Sequence, residues 1–215
     1  MSAQVHILGP AFSSFVRSVM FCCEEKGISY ETKFEIDGQS LSLNDDTHLQ
    51  YHPFGKIPAL IHGERTLFET ATICRYLDAT FDGPALQPDD VYQRAKVDEW
   101  AAALSSYVDK AIVRQYLLEF AFPKGPDGKV RMDKVTEAEP EVVRMLGIVE
   151  KQLGDNDFIC GSEYTYADAI LTPMLDYLAG TPNVSKLMPE NSTLMNYVLR
   201  MRERSSGAKI LTSIN

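Results

Sequence analysis

The chain has 215 residues, of which 45% are hydrophobic and 24% are charged. That composition supplies enough apolar side chains for a sizeable core, so it excludes a disordered chain and allows one large or two small domains. The 30 acidic and 21 basic residues give a formal net charge of -9, which disfavours nucleic acid and anionic membrane surfaces as partners.

Neither a membrane span nor a metal centre is expected. No apolar run approaches the roughly 20 residues that cross a bilayer, and no targeting segment opens the chain. The four cysteines are the adjacent Cys22 and Cys23, then Cys74 and Cys160 in apolar surroundings. This spacing fits neither disulfides nor a zinc site, so we expect reduced thiols and a cytoplasmic location.

The first part of the chain has the periodicity of an α+β unit in the order βαβ-α-ββα. The predicted elements, in chain order, are a strand at 5–8, a helix from about Val16 that ends before Gly27, a strand at 28–36 with strict alternation, a polar linking segment at 37–50, strands at 57–61 and 66–68, and a helix to about Phe81. We place the first domain at residues 1–81.

The second part is predicted to be all helical, over residues 91–215, after a turn-rich linker at 82–90. Its predicted helices are one long helix at 91–122, a second at 136–153, a third after the capping sequence that begins at Thr165 and reaches Asp168, and an amphipathic last helix at 193–204.

Pro58 interrupts an apolar stretch that otherwise has the pattern of a buried strand. A proline there removes one ladder hydrogen bond, and its preceding bond lies within about 1 kcal/mol of the cis form. We expect a cis bond after Ile57 that exposes the backbone of Ile57 to a ligand. Glu69 and Thr70 fall in the first turn of the next helix, where free N–H groups attract carboxylates. Together these features predict a site for a peptide with an amino-acid-like zwitterionic end.

The N-terminal unit with Ile57-Pro58, the Glu69-Thr70 pair, the linker, and the capping sequence in a helical second half together resemble a cytosolic glutathione S-transferase. The likeness covers almost the whole chain. It implies a thioredoxin-like domain that binds glutathione as co-substrate, a helical domain that forms the pocket for a small hydrophobic electrophile, a homodimer, and a role in detoxification.

The resemblance also assigns roles to residues of the glutathione site. The backbone of Ile57, before Pro58, would pair with the cysteinyl unit of glutathione, and Glu69 and Thr70 would hold its γ-glutamyl end. Lys56 would neutralise a glutathione carboxylate. The family often places a basic or amide side chain in the loop after the second strand, and Gln39, Ser40, Ser42 and Asn44 offer no clear match to it.

The loop after the first strand would supply the group that activates the thiol. A thiol with a pKa of about 8.5 is only a few per cent thiolate at neutral pH, so a donor that stabilises the anion is required. Ser13 and Ser14 lie here, at a helix N-terminus, which is similar to the serine-type subclass. Ser13 stands four residues before Arg17, and we rank it above Ser14, although either serine could serve only as a helix cap. A serine in this position disfavours thiol-transferase chemistry, which uses a cysteine there.

The pocket for the second substrate is less defined by the sequence. Phe12, Phe15, Tyr107 and Tyr116 are candidates, although aromatic residues at helical spacing more often form a core. Two alternatives remain at this point. One is a glutathione-dependent peroxidase, isomerase or dehalogenase on the same fold, and the other is a non-catalytic dimerisation or regulatory protein.

Overall fold

A computed structural model describes residues 4–211. The strands are β1 (Val5–Leu8), β2 (Tyr30–Lys33), β3 (Glu35–Ile36), β4 (Gln39–Ser40), β5 (Ala59–His62) and β6 (Arg65–Phe68). The helices are α1 (Ser14–Lys26), α2 (Asp46–Tyr51), α3 (Thr70–Thr80), α4 (Val91–Ala103), a π-helix (Leu104–Leu117), α5 (Leu118–Ala121), a short 3-10 turn (Pro126–Gly128), α6 (Met132–Leu153), α7 (Tyr166–Ala179), α8 (Val184–Leu187), α9 (Thr193–Glu203) and α10 (Ser205–Ile210). The predicted outer domain limits, residues 1 and 215, lie outside the described residues.

The N-terminal part is built on a mixed four-stranded sheet in the order β2-β1-β5-β6. The β1 and β2 strands are parallel, whereas β5 is antiparallel to both β1 and β6. A crossover through α1 joins the parallel pair, as a parallel connection requires. Helices α1 and α3 pack side by side against this sheet, and α7 of the second part packs against both. The predicted sheet unit followed by an all-helical unit is therefore confirmed.

One hydrophobic core joins the sheet to the helical part. It includes Val5 and Leu60 from the sheet and Ile112 and Leu171 from the helices, all at most 1% exposed. Burial of this kind contributes about 25 cal/mol per Å² of apolar surface, so it is the main stabilising term that holds the two parts together. Over residues 4–211, no helix combines the length and the apolar character needed to cross a bilayer.

The prediction of one strand at 28–36 was wrong. The chain leaves the sheet after Lys33, and residues Glu35–Ile36 pair instead with Gln39–Ser40 in a separate hairpin. Its turn is Asp37-Gly38, with φ angles of 50° and 76°. An Asp-Gly pair with two positive φ angles forms the type of tight turn that joins twisted strands, so the turn was visible in the sequence.

The helical part differs from the prediction in three respects. The predicted helix at 91–122 is continuous to Ala121, but its central 14 residues are π-helical. Helix α6 begins at Met132, four residues before the predicted start. Two short helices were not predicted, namely α8 and α10. Hydrophobic periodicity detects long amphipathic helices well and helices of one turn poorly.

Candidate active site

Three segments that are distant in the sequence meet at one edge of the sheet. Leu8 at the end of β1 is paired with Ala59 at the start of β5, and Ala59 is paired with Phe68 at the end of β6. The chain after β1, the chain before β5 and the chain after β6 therefore emerge side by side. These segments carry Ser13, Ile57-Pro58 and Glu69-Thr70, so the register alone brings the predicted site residues together.

Gly9 shows how closely the first two segments approach. A Cβ atom added to Gly9 would lie 3.3 Å from the Cβ of Ile57 and 2.6 Å from Cγ2 of Val16. Its φ of 152° is also one that side chains rarely adopt. Any larger residue here would push the loop that carries Ser13 away from Ile57.

The bond between Ile57 and Pro58 is cis. Pro58 is buried, whereas Ile57 is only partly buried. Within residues 4–211, neither the N–H nor the C=O of Ile57 has a hydrogen-bond partner. An unpaired donor and acceptor on one residue can pair with a peptide ligand as an added strand would.

His48 holds the segment before Ile57 in place and was not singled out from the sequence. It is 0% exposed, and its Nδ1 accepts a hydrogen bond from the backbone N–H of Asn44 at 3.1 Å. Its Nε2 therefore carries the proton and donates to the carbonyl of Lys56 at 2.9 Å. The side chain of Lys56 itself is exposed. A lone histidine in a polar segment gives little indication of such a role, because its contacts depend on a loop eight residues away.

Glu69 has an unusual backbone conformation at the start of α3. Its φ of 70° and ψ of 113° are rare for a residue with a side chain, and such strain concentrates at functional sites. Its exposed side chain makes no capping hydrogen bond, so it does not serve as a helix cap. Thr70 is the first residue of the helix and is 7% exposed. Glu69 and Thr70 thus stand at the N-terminal end of α3.

Ser13 is the residue that precedes α1, and its hydroxyl is unused. Its backbone N–H donates to the carbonyl of Pro10 at 3.0 Å, but its side chain makes no capping hydrogen bond. Ser13 is partly exposed, whereas Ser14 is 8% exposed and lies inside the first turn. A partly exposed hydroxyl at a helix N-terminus can stabilise an anion, and the geometry favours Ser13 over Ser14 for that role.

Arg17 is a buried residue that contacts the loop carrying Ser13. It is 5% exposed, and its Nε donates to the carbonyl of Ala11 at 3.1 Å. Its guanidinium carbon lies 4.7 Å from the centre of the Tyr177 ring on α7, and the Tyr177 hydroxyl donates to the carbonyl of Phe12. Arg17 therefore acts by positioning the loop and does not face a ligand.

The cysteines of α1 do not contribute a nucleophile. Cys22 and Cys23 are 0% exposed, and burial raises the pKa of both thiols, with a further rise for Cys22 from the neighbouring Cys74. They remain protonated at neutral pH and pack as small apolar groups. Within the described part of the chain, no group of His, Cys, Asp and Glu side chains has an arrangement suited to a metal ion.

The candidate aromatic residues fall into two groups. Phe12 is 52% exposed with its ring centre 6.2 Å from that of Phe122, Phe15 is partly buried, and Tyr107 is 70% exposed. Tyr116, in contrast, is 0% exposed and stacks on Phe120 with ring centres 5.3 Å apart. The prediction for Tyr116 was therefore wrong, because a core residue cannot line an open pocket.

Comparison with known proteins shows the family of this chain. Residues 12–80 match the family model of the glutathione S-transferase N-terminal domain, and residues 131–198 match that of the C-terminal domain. A probable glutathione S-transferase from Solanum tuberosum is 30% identical over 190 residues, which cover 86% of this chain and 78% of that protein. The chain belongs to the glutathione S-transferase family.

More distant relatives extend this likeness over nearly the full length. Glutathione S-transferase F12 from Arabidopsis thaliana is 25% identical over 209 residues, which cover 96% of this chain and 97% of that protein. Among solved structures, glutathione transferase F7 from Populus trichocarpa superposes with a TM-score of 0.84 at 23% identity, covering 98% of this chain and 99% of that one. The latter comparison shows that the family fold is complete in this chain.

Proposed function

We propose that this protein is a serine-type glutathione transferase that activates the thiol of glutathione as a thiolate and directs it at a small hydrophobic electrophile. The observation that carries this proposal is the register at the sheet edge. This register brings three groups to the same edge of the sheet. They are the unpaired backbone of Ile57, the side chain of Glu69, which makes no capping hydrogen bond, and the hydroxyl of Ser13, which makes none either. Family membership and an unused hydroxyl both argue against a non-catalytic role.

Glutathione would bind mainly through backbone and charge. The N–H and C=O of Ile57 pair with the cysteinyl unit, and this pairing fixes where the sulfur lies. Glu69 binds the ammonium of the γ-glutamyl end, while Thr70 and the first N–H groups of α3 bind its carboxylate. Lys56, whose side chain is exposed, neutralises the carboxylate at the other end of the tripeptide.

Ser13 would then stabilise the sulfur as an anion. Its hydroxyl donates to the thiolate, and the N-terminus of α1 adds a partial positive charge. A hydrogen bond to a charged group contributes about 1.5–3 kcal/mol, which corresponds to roughly one to two pKa units at the thiol. The thiolate then attacks the electrophile, which lies against the helical part near Phe12, Phe15 and Tyr107. In this proposal, residues 1–81 form the domain that binds glutathione, and residues 91–215 form the domain that contains the electrophile pocket. Residues 82–90 are the linker between these two domains.

A Ser13→Ala variant tests the proposal. We expect the pKa of the bound glutathione thiol to rise by about one unit or more. The ultraviolet absorbance of the thiolate, recorded as a function of pH, measures this pKa. Turnover of a neutral aryl halide at neutral pH should fall about tenfold, while the dissociation constant of glutathione changes less than twofold. Ser14→Ala is the matched control, because this buried hydroxyl lies one residue further into the helix.

The control also decides between the two serines. If Ser14→Ala raises the pKa and Ser13→Ala does not, the activating hydroxyl is that of Ser14. If neither variant changes the absorbance, backbone N–H groups alone activate the thiol. If wild-type protein neither binds glutathione nor turns over the halide, the proposed function is refuted.

We further propose a homodimer in the cytoplasm. Phe54, Val91 and Tyr92 are 70%, 81% and 67% exposed, and large apolar side chains so exposed often mark a protein interface. Cys22, Cys23, Cys74 and Cys160 are all unpaired, which suits a reducing compartment. Light scattering after size exclusion should give the mass of a dimer, and a Phe54→Ser/Tyr92→Ser variant should shift it towards the monomer. A monomer mass for wild type would refute the dimer.

A further inference from the structure

Asp109 and Arg114 form an ion pair along one face of the π-helix. The Arg114 Nε donates to Oδ2 of Asp109 at 2.8 Å, and the two residues are five positions apart, which is the spacing of a π-helical turn. The Asp109 side chain is 8% exposed, whereas that of Arg114 is 49% exposed. The pair is thus anchored in the core at Asp109 and presents the guanidinium of Arg114 to solvent.

The guanidinium lies next to the loop that carries Ser13. Its central carbon is 5.8 Å from the centre of the Phe15 ring, and Phe15 follows Ser13 by two residues. In the described part of the chain, Nε is the only nitrogen of this guanidinium that has a hydrogen-bond partner. Two terminal amino groups therefore remain available, in the fork geometry that binds carboxylates.

The lining around Arg114 contains one more basic than acidic side chain. Arg114 lines a cavity of about 520 Å³ between the π-helix and α6, with Tyr107 on one wall. The other charged side chains of its lining are Lys110, Lys134, Arg144, Glu119, Glu137 and Glu141. Each of these three carboxylates already forms an ion pair, with Arg131, Lys134 and Arg144, respectively. Over residues 4–211, Lys110 forms no ion pair and supplies this additional positive charge, which also acts on the nearby Glu141.

We propose that Arg114, held in position by Asp109, binds an acidic group of the second substrate. The preferred electrophile is then an aromatic or other apolar molecule that bears a carboxylate. This inference rests on the proposed function, because it places the acid at Arg114 and the reacting carbon near the sulfur that Ser13 stabilises. Phe15 supplies an apolar surface between the two.

Two electrophiles that differ in one charge test this inference. One is a chlorodinitrobenzoate with chlorine para to the acid, and the other is its methyl ester. In both, the thiolate sulfur of glutathione forms a bond to the ring carbon and chloride leaves. The Arg114→Gln variant should lose about tenfold or more in kcat/KM for the acid, since a charge-assisted contact is removed, and less than twofold for the ester.

Two further variants make the result specific to the Arg114 charge. Arg144→Gln is the matched control, because Arg144 lines the same cavity but is paired with Glu141, and it should leave the acid-to-ester ratio within twofold of wild type. Arg114→Lys keeps the charge and should recover part of the lost activity with the acid.

The outcomes separate this inference from the proposed function. Equal losses for acid and ester in Arg114→Gln would mean that Arg114 only supports Phe15, and would overturn the inference while transferase activity stands. If the kcat/KM of Arg114→Lys for the acid is as low as that of Arg114→Gln, the result would also count against a charge contact. Absence of turnover with both electrophiles in wild type would overturn both proposals.

Discussion

Replacing His48 with phenylalanine would remove two hydrogen bonds that hold the chain before Pro58. His48 is 0% exposed, accepts from the N–H of Asn44 at 3.1 Å and donates to the carbonyl of Lys56 at 2.9 Å. Phenylalanine fills a similar volume but pairs with neither group. An unsatisfied buried donor or acceptor costs about 1–3 kcal/mol, and because both contacts are only part-buried we expect the low end, a total of about 2–4 kcal/mol.

The same change should weaken glutathione binding. The carbonyl of Lys56 directly precedes Ile57, whose backbone we assign to the cysteinyl unit, so a looser carbonyl misplaces that pairing. We expect the KM for glutathione to rise about fivefold to tenfold, and kcat at saturating glutathione to fall as well, because the Ile57 pairing also fixes where the sulfur lies. Urea unfolding gives the stability, and initial rates at varied glutathione concentration give KM and kcat.

Two companion variants make the result specific. His48→Gln retains a side-chain N–H that can reach the Lys56 carbonyl, so it should recover much of the glutathione affinity. His6→Phe removes a histidine whose one hydrogen bond, from Nε2 to the carbonyl of Lys33 at 3.2 Å, is solvent-exposed, and it should cost less than about 1 kcal/mol. If His48→Phe lowers stability but leaves KM unchanged, His48 supports only the fold and the assignment of Ile57 loses its support.

Three further changes probe other parts of the molecule. Glu69→Ala should weaken glutathione binding about tenfold or more in calorimetric titration with kcat nearly unchanged, since the lost contact is to a non-reacting part of the ligand; normal affinity would contradict the assignment. Arg17→Met removes the contacts to Ala11 and Tyr177, so kcat should fall several-fold, and an unchanged kcat would show that the loop does not need this support. Burial raises the pKa of Asp168 to about 6 from an ordinary 3.8, so the folded state binds this proton more tightly and loses stability as the pH rises through that interval. Relative to Asp168→Asn, wild type should therefore lose about 2–2.5 kcal/mol of unfolding free energy between pH values of about 4 and 7, and a difference independent of pH would contradict this assignment.

The sequence predicted the elements better than their pairing. The spacing of apolar residues and the positions of glycine and proline predicted the bounds of α1, β5, β6 and α3 closely, because both signals are local properties of the chain. The strand at 28–36 failed because alternation continues through Phe34 although the chain turns out of the sheet after Lys33. The Asp37-Gly38 pair is the local signal for this break, because such a pair favours a tight turn between two strands.

Side-chain environments were the least predictable feature. Tyr116 and Tyr107 lie nine residues apart on one predicted helix, yet Tyr116 is 0% exposed and Tyr107 is 70% exposed. A π-helical turn holds about one residue more than an α-helical turn, so it changes which residues share a face. Neither this geometry nor the contact of Arg114 with Asp109 follows from α-helical spacing.

The two halves of the candidate site depend on different kinds of information. In the proposed function, glutathione is held in part by backbone groups whose positions follow from the pairing of Leu8 with Ala59 and of Ala59 with Phe68. Substitution of surface side chains leaves that register intact, so this half persists wherever the fold persists. In the same proposal, the electrophile contacts individual side chains such as Phe12, Tyr107 and Arg114, and the sheet register does not determine which residues occupy those positions. Changes on the π-helix should therefore alter the choice of electrophile while the affinity for glutathione stays constant.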